Sequence, residues 1–215
     1  MAEADPGEPA TPKGRATRDR IISCAAELLL TEGFSALSID GVRRAASVSG
    51  SQMTHYFASK DALIRAVISR QTQVLLDFHR QPALRDLDTF EDFDRWVELT
   101  LRFGKRRARS RTTIPNFGVL VGALGKGDEK TSKLLADGYR QWEQLFAAGL
   151  TRMKDRGELN SDADAAQLAA VLINAHQGGN MLSLAYHRPW PDREALMFAL
   201  SYLRMFATDP VERLK

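Results

Sequence analysis

The 215-residue sequence has a single cysteine, Cys24, which excludes an intramolecular disulfide and a cysteine-rich zinc site. Its place beside Ala25 on the apolar side of a predicted helix favours a buried structural thiol. The alternative, a redox or alkylation sensor, requires an exposed thiol with a lowered pKa. No two histidines lie four residues apart on one helix face, so we expect no metal site; they are His55, His79, His176 and His187.

Other absences concern catalysis and membranes. The sequence lacks a glycine-rich phosphate loop and a recognisable serine or cysteine nucleophile, so we expect no catalytic residues and no cofactor. No window approaches the ~18 unbroken apolar residues of a membrane span. Acids and prolines stand where a secretory signal would have a basic start and an apolar run, which predicts a cytoplasmic protein. A net charge of only +3 is weak support for nucleic-acid binding by itself.

The pattern along the chain is helical and predicts an all-α fold. Residues 1–14 contain three prolines and two glycines, and are predicted to be a disordered tail. Apolar residues then recur at i, i+3 and i+4 from an expected N-cap at Thr17 to Gly33. Ser38 and Ser59 are expected to cap the next helices, and Ser161 a later one. Longer helices are predicted over about residues 89–107, 117–124, 128–155, 163–185 and 193–206.

Two short helices joined by Ala46-Ser47-Val48-Ser49 follow the first long helix, which is the order of a helix-turn-helix. Met53 and Phe57 are spaced to face the core. The residues expected to face outward are Gly50, Ser51, Gln52, Thr54 and His55. A glutamine such as Gln52 can pair with adenine, and hydroxyls can contact phosphates or bases. The alternative is a short amphipathic surface helix without a DNA-binding role.

These residues also carry a family resemblance. The segments Ser38-Ile39-Asp40-Gly41-Val42 and 46–63, with the lead-in Ala25-Ala26-Glu27-Leu28-Leu29 and Gly33-Phe34, resemble the signature of the TetR (tetracycline-repressor) family. The resemblance is strong over about residues 15–65. It implies a transcriptional regulator with a three-helix DNA-binding domain at 15–60, after the tail at 1–14, and a helical effector-binding and dimerisation domain at 61–215.

The resemblance implies roles for individual residues. Gln52, with its two preceding neighbours, occupies the base-reading part of the helix, while His55 and Lys60 match positions that contact the DNA backbone. Ser38 matches a capping hydroxyl that also contacts phosphate. Two departures stand out: the family commonly has tyrosine where Thr54 stands, and glycine where Ser51 stands. The candidate DNA-binding residues are Ser38, Ser49, Gly50, Ser51, Gln52, Thr54, His55, Tyr56 and Lys60.

The family's C-terminal domain also implies a homodimer formed by the last two long helices. The predicted helix over 163–185 is rich in alanine and nearly uncharged after Asp164. Gly178 and Gly179 each cost about 1 kcal/mol inside a helix, so a packing reason is expected. Close approach to a partner helix is our prediction, and burial within one subunit is the alternative.

An apolar effector pocket is the domain's second implied function, since such pockets combine apolar side chains with a few polar groups. The candidate effector-binding residues are Trp96, Phe103, Phe117, Trp142, Phe146, His176 and Asn180, with Met181 as a further apolar candidate. For the aromatic residues the alternative is simple core packing. For Asn174, His176, Gln177 and Asn180, ligand binding, dimer bridging and mutual hydrogen bonding remain open. For the basic run from Arg102 to Arg111 we expect a solvated helix end, and the alternative is a second site for an anionic partner or an acidic effector.

The sequence therefore predicts a regulator of double-stranded DNA. Repression is the commoner mode in the family, so we expect a repressor that a small apolar or amphipathic effector releases from a palindromic operator. An all-helical binding protein without DNA activity is the first alternative, and it predicts no operator binding. An enzyme is the second alternative, and it predicts turnover by the purified protein.

Overall fold

The computed structural model describes residues 11–33, 37–109, 117–124 and 128–213, with only the backbone given for residues 105–109. This part of the chain contains helices and one isolated β-bridge, between Leu159 and Ala207, and no strand. The predicted all-α class is confirmed. The helices are α1 (Pro12–Thr31), α2 (Ile39–Ala45), α3 (Gly50–Tyr56), α4 (Lys60–Arg80), α5 (Phe90–Arg109), α6 (Phe117–Leu124), α7 (Glu129–Asp155), α8 (Ala165–Tyr186), α9 (Trp190–Arg204) and α10 (Pro210–Arg213).

Helix α1 begins earlier than predicted. The Thr11 hydroxyl accepts a hydrogen bond from the Gly14 N–H at 3.1 Å, and Pro12 occupies the first helical turn. The prediction of an N-cap at Thr17 is wrong, and residues 12–14 of the predicted tail are helical. The prolines and glycines of residues 1–14 predicted a tail. A proline at the first position of a helix nevertheless favours helix formation, although proline breaks a helix elsewhere.

Helices α8 and α9 also differ from prediction at their first turns. The Asp164 carboxylate accepts hydrogen bonds from the N–H groups of Ala166 and Gln167, so Asp164, not Ser161, is the N-cap of α8. Helix α9 begins at Trp190, which places Pro191 inside its first turn instead of before it.

The described chain divides into two compact units. The first contains α1 to α3, α4 as far as Val74, α6, and α7 as far as Ala136. Its core contains Ile21, Val42, Met53 and Leu63, each at most 1% exposed. Within this unit α1 packs against α2, and α2 packs against α3.

The second unit contains α4 from Leu75, α5, most of α7, and α8 to α10. Helix α9 packs against α8 and α5, and their buried faces share one apolar core with α7. Among the described residues, no helix has both the length and the apolar character needed to cross a membrane.

Candidate functional site

The connection between α2 and α3 is a tight turn held by backbone hydrogen bonds. The Val48 N–H donates to the Arg43 carbonyl at 3.2 Å, and Ser47 adopts a left-handed φ of 52°. The Arg20 Nε of α1 donates to the Ala46 carbonyl at 3.0 Å. This guanidinium satisfies a carbonyl at the C-terminal end of α2 and ties α1 to the turn.

Helix α3 begins with a capping box. The Ser49 hydroxyl accepts from the Gln52 N–H at 3.2 Å, and the Gln52 Oε1 accepts from the Ser49 N–H at 2.9 Å. Because the oxygen is the only atom of a side-chain amide that accepts from an N–H, this bond also fixes which end of the Gln52 amide is oxygen. The side chain expected to read bases therefore also caps its own helix.

Other polar groups of α3 are hydrogen-bonded locally as well. The Ser49 and Ser51 hydroxyls lie 3.0 Å apart, and the Thr54 hydroxyl donates to the Gly50 carbonyl at 3.0 Å. A DNA contact by these groups must add to these bonds or replace them. The Ser38 hydroxyl likewise accepts from the Gly41 N–H at 3.0 Å, as the cap of α2.

The candidate DNA-binding residues lie on the surface of the first unit, and two of them are half-buried. Met53 and Phe57, which are not candidates, are the buried positions of α3 and its C-cap, as the helical period predicts. The Arg18 guanidinium lies 5.4 Å from the centroid of the Phe57 ring. Tyr56 and Lys60 are half-buried, and the exposed candidates are Ser38, Ser49, Gly50, Ser51, Gln52, Thr54 and His55.

Four of the candidate effector residues come together in the second unit. Trp96, Trp142 and Phe146 are at most 2% exposed, and the Trp96 and Phe146 ring centroids lie 4.8 Å apart. The His176 ring lies 5.8 Å from Trp142, and its Nδ1 is 2.9 Å from the Asp192 carboxylate. In this structure the three aromatic rings pack as core.

The residue at the centre of this cluster is His79 of α4, which the sequence did not indicate as a site residue. Its Nδ1 lies 2.8 Å from the Leu75 carbonyl, and its Nε2 lies 3.2 Å from the indole nitrogens of both Trp96 and Trp142. Indole nitrogens only donate and a carbonyl only accepts, so Nδ1 carries the proton and Nε2 accepts twice. A histidine on an otherwise apolar helix face was the available sequence signal.

The hydrogen bonding of His79 requires a neutral imidazole. Burial lowers the pKa of His79 to about 4, and the hydrogen bond to Leu75 opposes that effect only in part. A second proton on the ring would also point an N–H at two indole N–H donors.

The remaining effector candidates lie elsewhere. The Phe103 and Phe78 rings pack with centroids 5.0 Å apart in the second unit, whereas Phe117 is buried in the first unit. Asn180 is half-buried, and Met181 is exposed. In the basic run, Arg102 pairs with Glu98 one turn earlier, and the side chains of residues 105–111 lie outside the described part of the chain.

A cavity of about 320 Å³ opens beside His79, between the end of α4, the segment before α5, and α7. Gly149 lets this segment approach α7 closely, since a Cβ there would lie 2.0 Å from the Leu87 carbonyl oxygen. Arg152 of α7 donates to the Asp88 carboxylate at 2.8 Å, and this bond holds the pKa of Asp88 below its usual range. The sequence did not predict this cavity.

Helix α8 shows two different glycine environments. A Cβ on Gly179 would lie 2.6 Å from the Asp192 Cα of the same chain, so the prediction of a partner helix there is wrong. Gly178 is exposed and has no atom within 4 Å of such a Cβ.

Helices α8 and α9 also present exposed apolar side chains. Phe198, at 74% exposure, is the most exposed of these, and the others include Met181, Leu182, Tyr186, Trp190 and Met197. These exposed apolar side chains are candidates for an interaction surface. Cys24, by contrast, is half-buried, and burial raises its pKa, which disfavours the reactive thiolate.

The capped three-helix unit joined to a helical domain defines a helix-turn-helix transcriptional regulator. Residues 21–67 match the family model for bacterial regulatory proteins of the tetR family, and residues 121–198 match the tetracyclin repressor-like C-terminal domain. The two models together match more than half of the chain, and the chain belongs to the TetR family.

Similar proteins include the HTH-type transcriptional regulator UidR of Escherichia coli K12, 23% identical over 75% of this chain and 79% of that protein. Another is the regulator EthR of Mycolicibacterium smegmatis, 25% identical over 94% of this chain and 92% of that protein.

Solved structures with the same fold include a TetR protein from Rhodobacter sphaeroides, with a TM-score of 0.71 and 22% identity, covering 86% of this chain and 97% of that one. A regulator from Chloroflexus aurantiacus has a TM-score of 0.76 and 16% identity, covering 92% and 98%. At these identities the structures establish the fold alone.

Proposed function

We propose that this regulator is a repressor that binds a palindromic operator as a homodimer and is released by a small apolar or amphipathic effector. The observation that carries the proposal is the capped helix α3, which buries Met53 and Phe57 and exposes its polar residues beside a turn held by backbone hydrogen bonds. Such a helix fits the major groove, where base edges are read. We assign DNA binding to residues 15–60 and effector binding and dimerisation to residues 61–215. Since the proposed partner is chromosomal DNA, we place the protein in the cytoplasm.

Dimerisation is supported by the apolar surface of α8 and α9. Exposed Met181, Trp190 and Phe198 lie on these two helices, and a monomer would leave them in water. One α3 helix also reads only a few base pairs, whereas a two-fold dimer reads two inverted half-sites about 34–36 Å apart.

The direct experiment is a selection of bound fragments from sheared chromosomal DNA with the purified full-length chain. We expect enrichment of an inverted repeat, a saturable band shift on it, and a dimer in sedimentation at micromolar concentration. A reporter driven by that site should rise when the gene for this protein is deleted. Failure to enrich any sequence, including the promoter of its own gene, would overturn the proposal, and so would a micromolar monomer.

A further inference from the structure

We infer that the cavity beside His79 binds a small organic anion, with a carboxylate or phosphate head on its arginines and an apolar body on its leucines. This inference rests on the proposed function only in treating that anion as the effector. The cavity lies wholly within the second unit, between α4, the segment before α5, and α7.

The size and apolar lining of the cavity suit a small molecule. Its volume of about 320 Å³ is at the lower end of the range for small-molecule sites, roughly 300–1,000 Å³. Its apolar wall consists of Leu76, Leu84, Leu87, Leu145 and Ala148. This wall can bury a short alkyl chain or a single ring.

The charge of the lining selects for an anion. Arg80, Arg85 and Arg152 line the cavity against a single acidic residue, Asp86. Arg152 is already paired with the Asp88 carboxylate at 2.8 Å, so its charge is largely compensated.

The positive charges of the other two arginines, Arg80 and Arg85, are not compensated by a strong ion pair. Arg80 lies 3.9 Å from Asp77, and both side chains are more than half exposed, so their attraction is weak. Arg85 is exposed and has no hydrogen-bond or ion-pair partner in the described part of the chain. A guanidinium matches the planar geometry of a carboxylate and also binds phosphate.

Two glutamine amides add neutral donors on the α7 side, where one N–H of Gln141 already donates to the Asp137 carbonyl at 3.3 Å. Gln141 and Gln144 both line the cavity, three residues apart and hence on one face of the helix. His79 contributes no charge, since burial lowers its pKa to about 4 and both ring nitrogens are engaged. The site therefore combines two available guanidinium groups, two amides and an apolar wall.

Ligand binding here should be visible by tryptophan fluorescence. His79 is a wall of the cavity, and its Nε2 holds the indole nitrogens of Trp96 and Trp142 at 3.2 Å. A ligand that contacts His79 is therefore separated from two buried indole rings by this one side chain.

The test uses four probes that each contain a linear chain of eight carbons and differ in the head: octanoate, octyl phosphate, octanol and octylammonium. Each is titrated into the full-length protein by calorimetry and tryptophan fluorescence. We expect at least one anion to bind tenfold or more tightly than octanol and octylammonium. A preference between octanoate and octyl phosphate identifies the head group, and equal binding shows that charge alone is recognised.

Variants locate the binding site. The double variant Arg80→Gln/Arg85→Gln should lower the affinity for the preferred anion at least tenfold. Arg193→Gln removes an exposed arginine of α9, outside the cavity lining, and should leave the affinity unchanged. Equal binding of octanol and the anions, or an unchanged affinity in the double variant, overturns the inference.

A band shift on the selected operator separates this inference from the proposed function. A protein that binds the operator but none of the anions refutes the anion site and leaves the DNA-binding function standing. A protein that binds an anion through Arg80 and Arg85 but never binds DNA supports the site and refutes the proposed function.

Discussion

Among single residues, Gln52 has a capping bond and a proposed base-reading role that compete for one amide. In the free protein its Oε1 accepts from the Ser49 N–H and completes the capping box. Bidentate recognition of adenine needs the same amide to extend toward a base edge, so DNA binding must weaken or break that bond. The cap contributes about 1 kcal/mol, less than the roughly 1–3 kcal/mol of a good base contact.

We therefore predict that Gln52→Ala weakens binding to the cognate operator by about 1–3 kcal/mol and relaxes the preference at one base position per half-site. Ser49→Ala is the matched control, because it removes the other half of the same capping box. It should weaken cognate and random DNA alike. Equal losses for Gln52→Ala on both DNAs would show that Gln52 positions the helix and does not read bases.

Lys60, the first residue of α4, is predicted to bind a phosphate. Each phosphate contact adds about −0.9 to the slope of log affinity against log salt concentration. Lys60→Ala should therefore weaken binding to all sequences and make the slope shallower by about one unit in band-shift titrations. If the slope does not change, Lys60 is not part of the phosphate-binding set.

His79 predicts a pH dependence of stability. Its pKa is about 4 in the folded protein and about 6.5 when unfolded, so only the unfolded chain takes up a proton between these values. The stability it contributes is present above pH 6.5 and is lost as the pH falls toward 4. The loss amounts to about 3 kcal/mol when complete.

The measurement is urea unfolding of wild type and His79→Gln from pH 7 to pH 4. Glutamine can accept from the indoles but does not titrate, so the variant reports the contribution of all other groups. We expect the wild type to lose about 3 kcal/mol more than the variant over this interval. Parallel stability curves would mean that His79 does not remain neutral in the folded state.

For the helices, the sequence predicted positions well and boundaries less well. Apolar spacing identified the long helices because burial of one face sets their period. The start of α8 was misplaced because Ser161 and Asp164 are both good N-cap residues, and only the path of the chain selects Asp164.

The candidate site also has one part that the sequence could predict and one part that it could not. The capping residues and the candidate base-reading residues of α3 are adjacent in sequence, so a local motif could predict them. The cavity joins Arg85 to Gln141 and Gln144 of α7, more than fifty residues later in the chain. Single-helix periodicity carries no information about such pairs, and the leucines and arginines appeared only as ordinary amphipathic surface.

Substitutions at two neighbouring glycines of α8, Gly178 and Gly179, are predicted to have different effects: the first on dimerisation and the second on folding stability. A Cβ at Gly178 has no neighbouring atom within 4 Å, so Gly178→Leu should cost little in the folding of one subunit but disturb the proposed dimer contact. Gly179→Ala places a Cβ 2.6 Å from the Asp192 Cα and should cost about 1–3 kcal/mol of folding stability. Sedimentation and thermal melting separate the two effects. A Gly178→Leu dimer as tight as wild type would place the interface elsewhere.

At the scale of the whole molecule, α4 is the element that the two proposed functions share. Lys60, the proposed phosphate contact, begins the helix, and His79, the wall of the cavity, lies one residue from its end. At 1.5 Å per residue, this helix spans about 30 Å. Because an α-helix is stiff, a ligand that shifts its last turn would tilt the whole helix. We propose that this tilt changes the spacing of the two α3 helices in the dimer.

Such a switch makes a reciprocal prediction. If the effector acts through geometry and does not compete for the DNA surface, the coupling free energy is about 1–3 kcal/mol, and linkage requires it to be equal in both directions. The operator should weaken effector binding by the same factor, about 5- to 150-fold, by which the effector weakens operator binding. The measurement is a paired titration. Effector is titrated into the protein with and without saturating operator, and operator is titrated into the protein with and without saturating effector. The variant His79→Ala removes the side chain that faces the cavity near the end of α4. It should reduce the effect of operator on effector binding and the effect of effector on operator binding together. If effector affinity is identical with and without operator, that ligand is not an allosteric inducer, and the aromatic cluster around His79 is a structural core only.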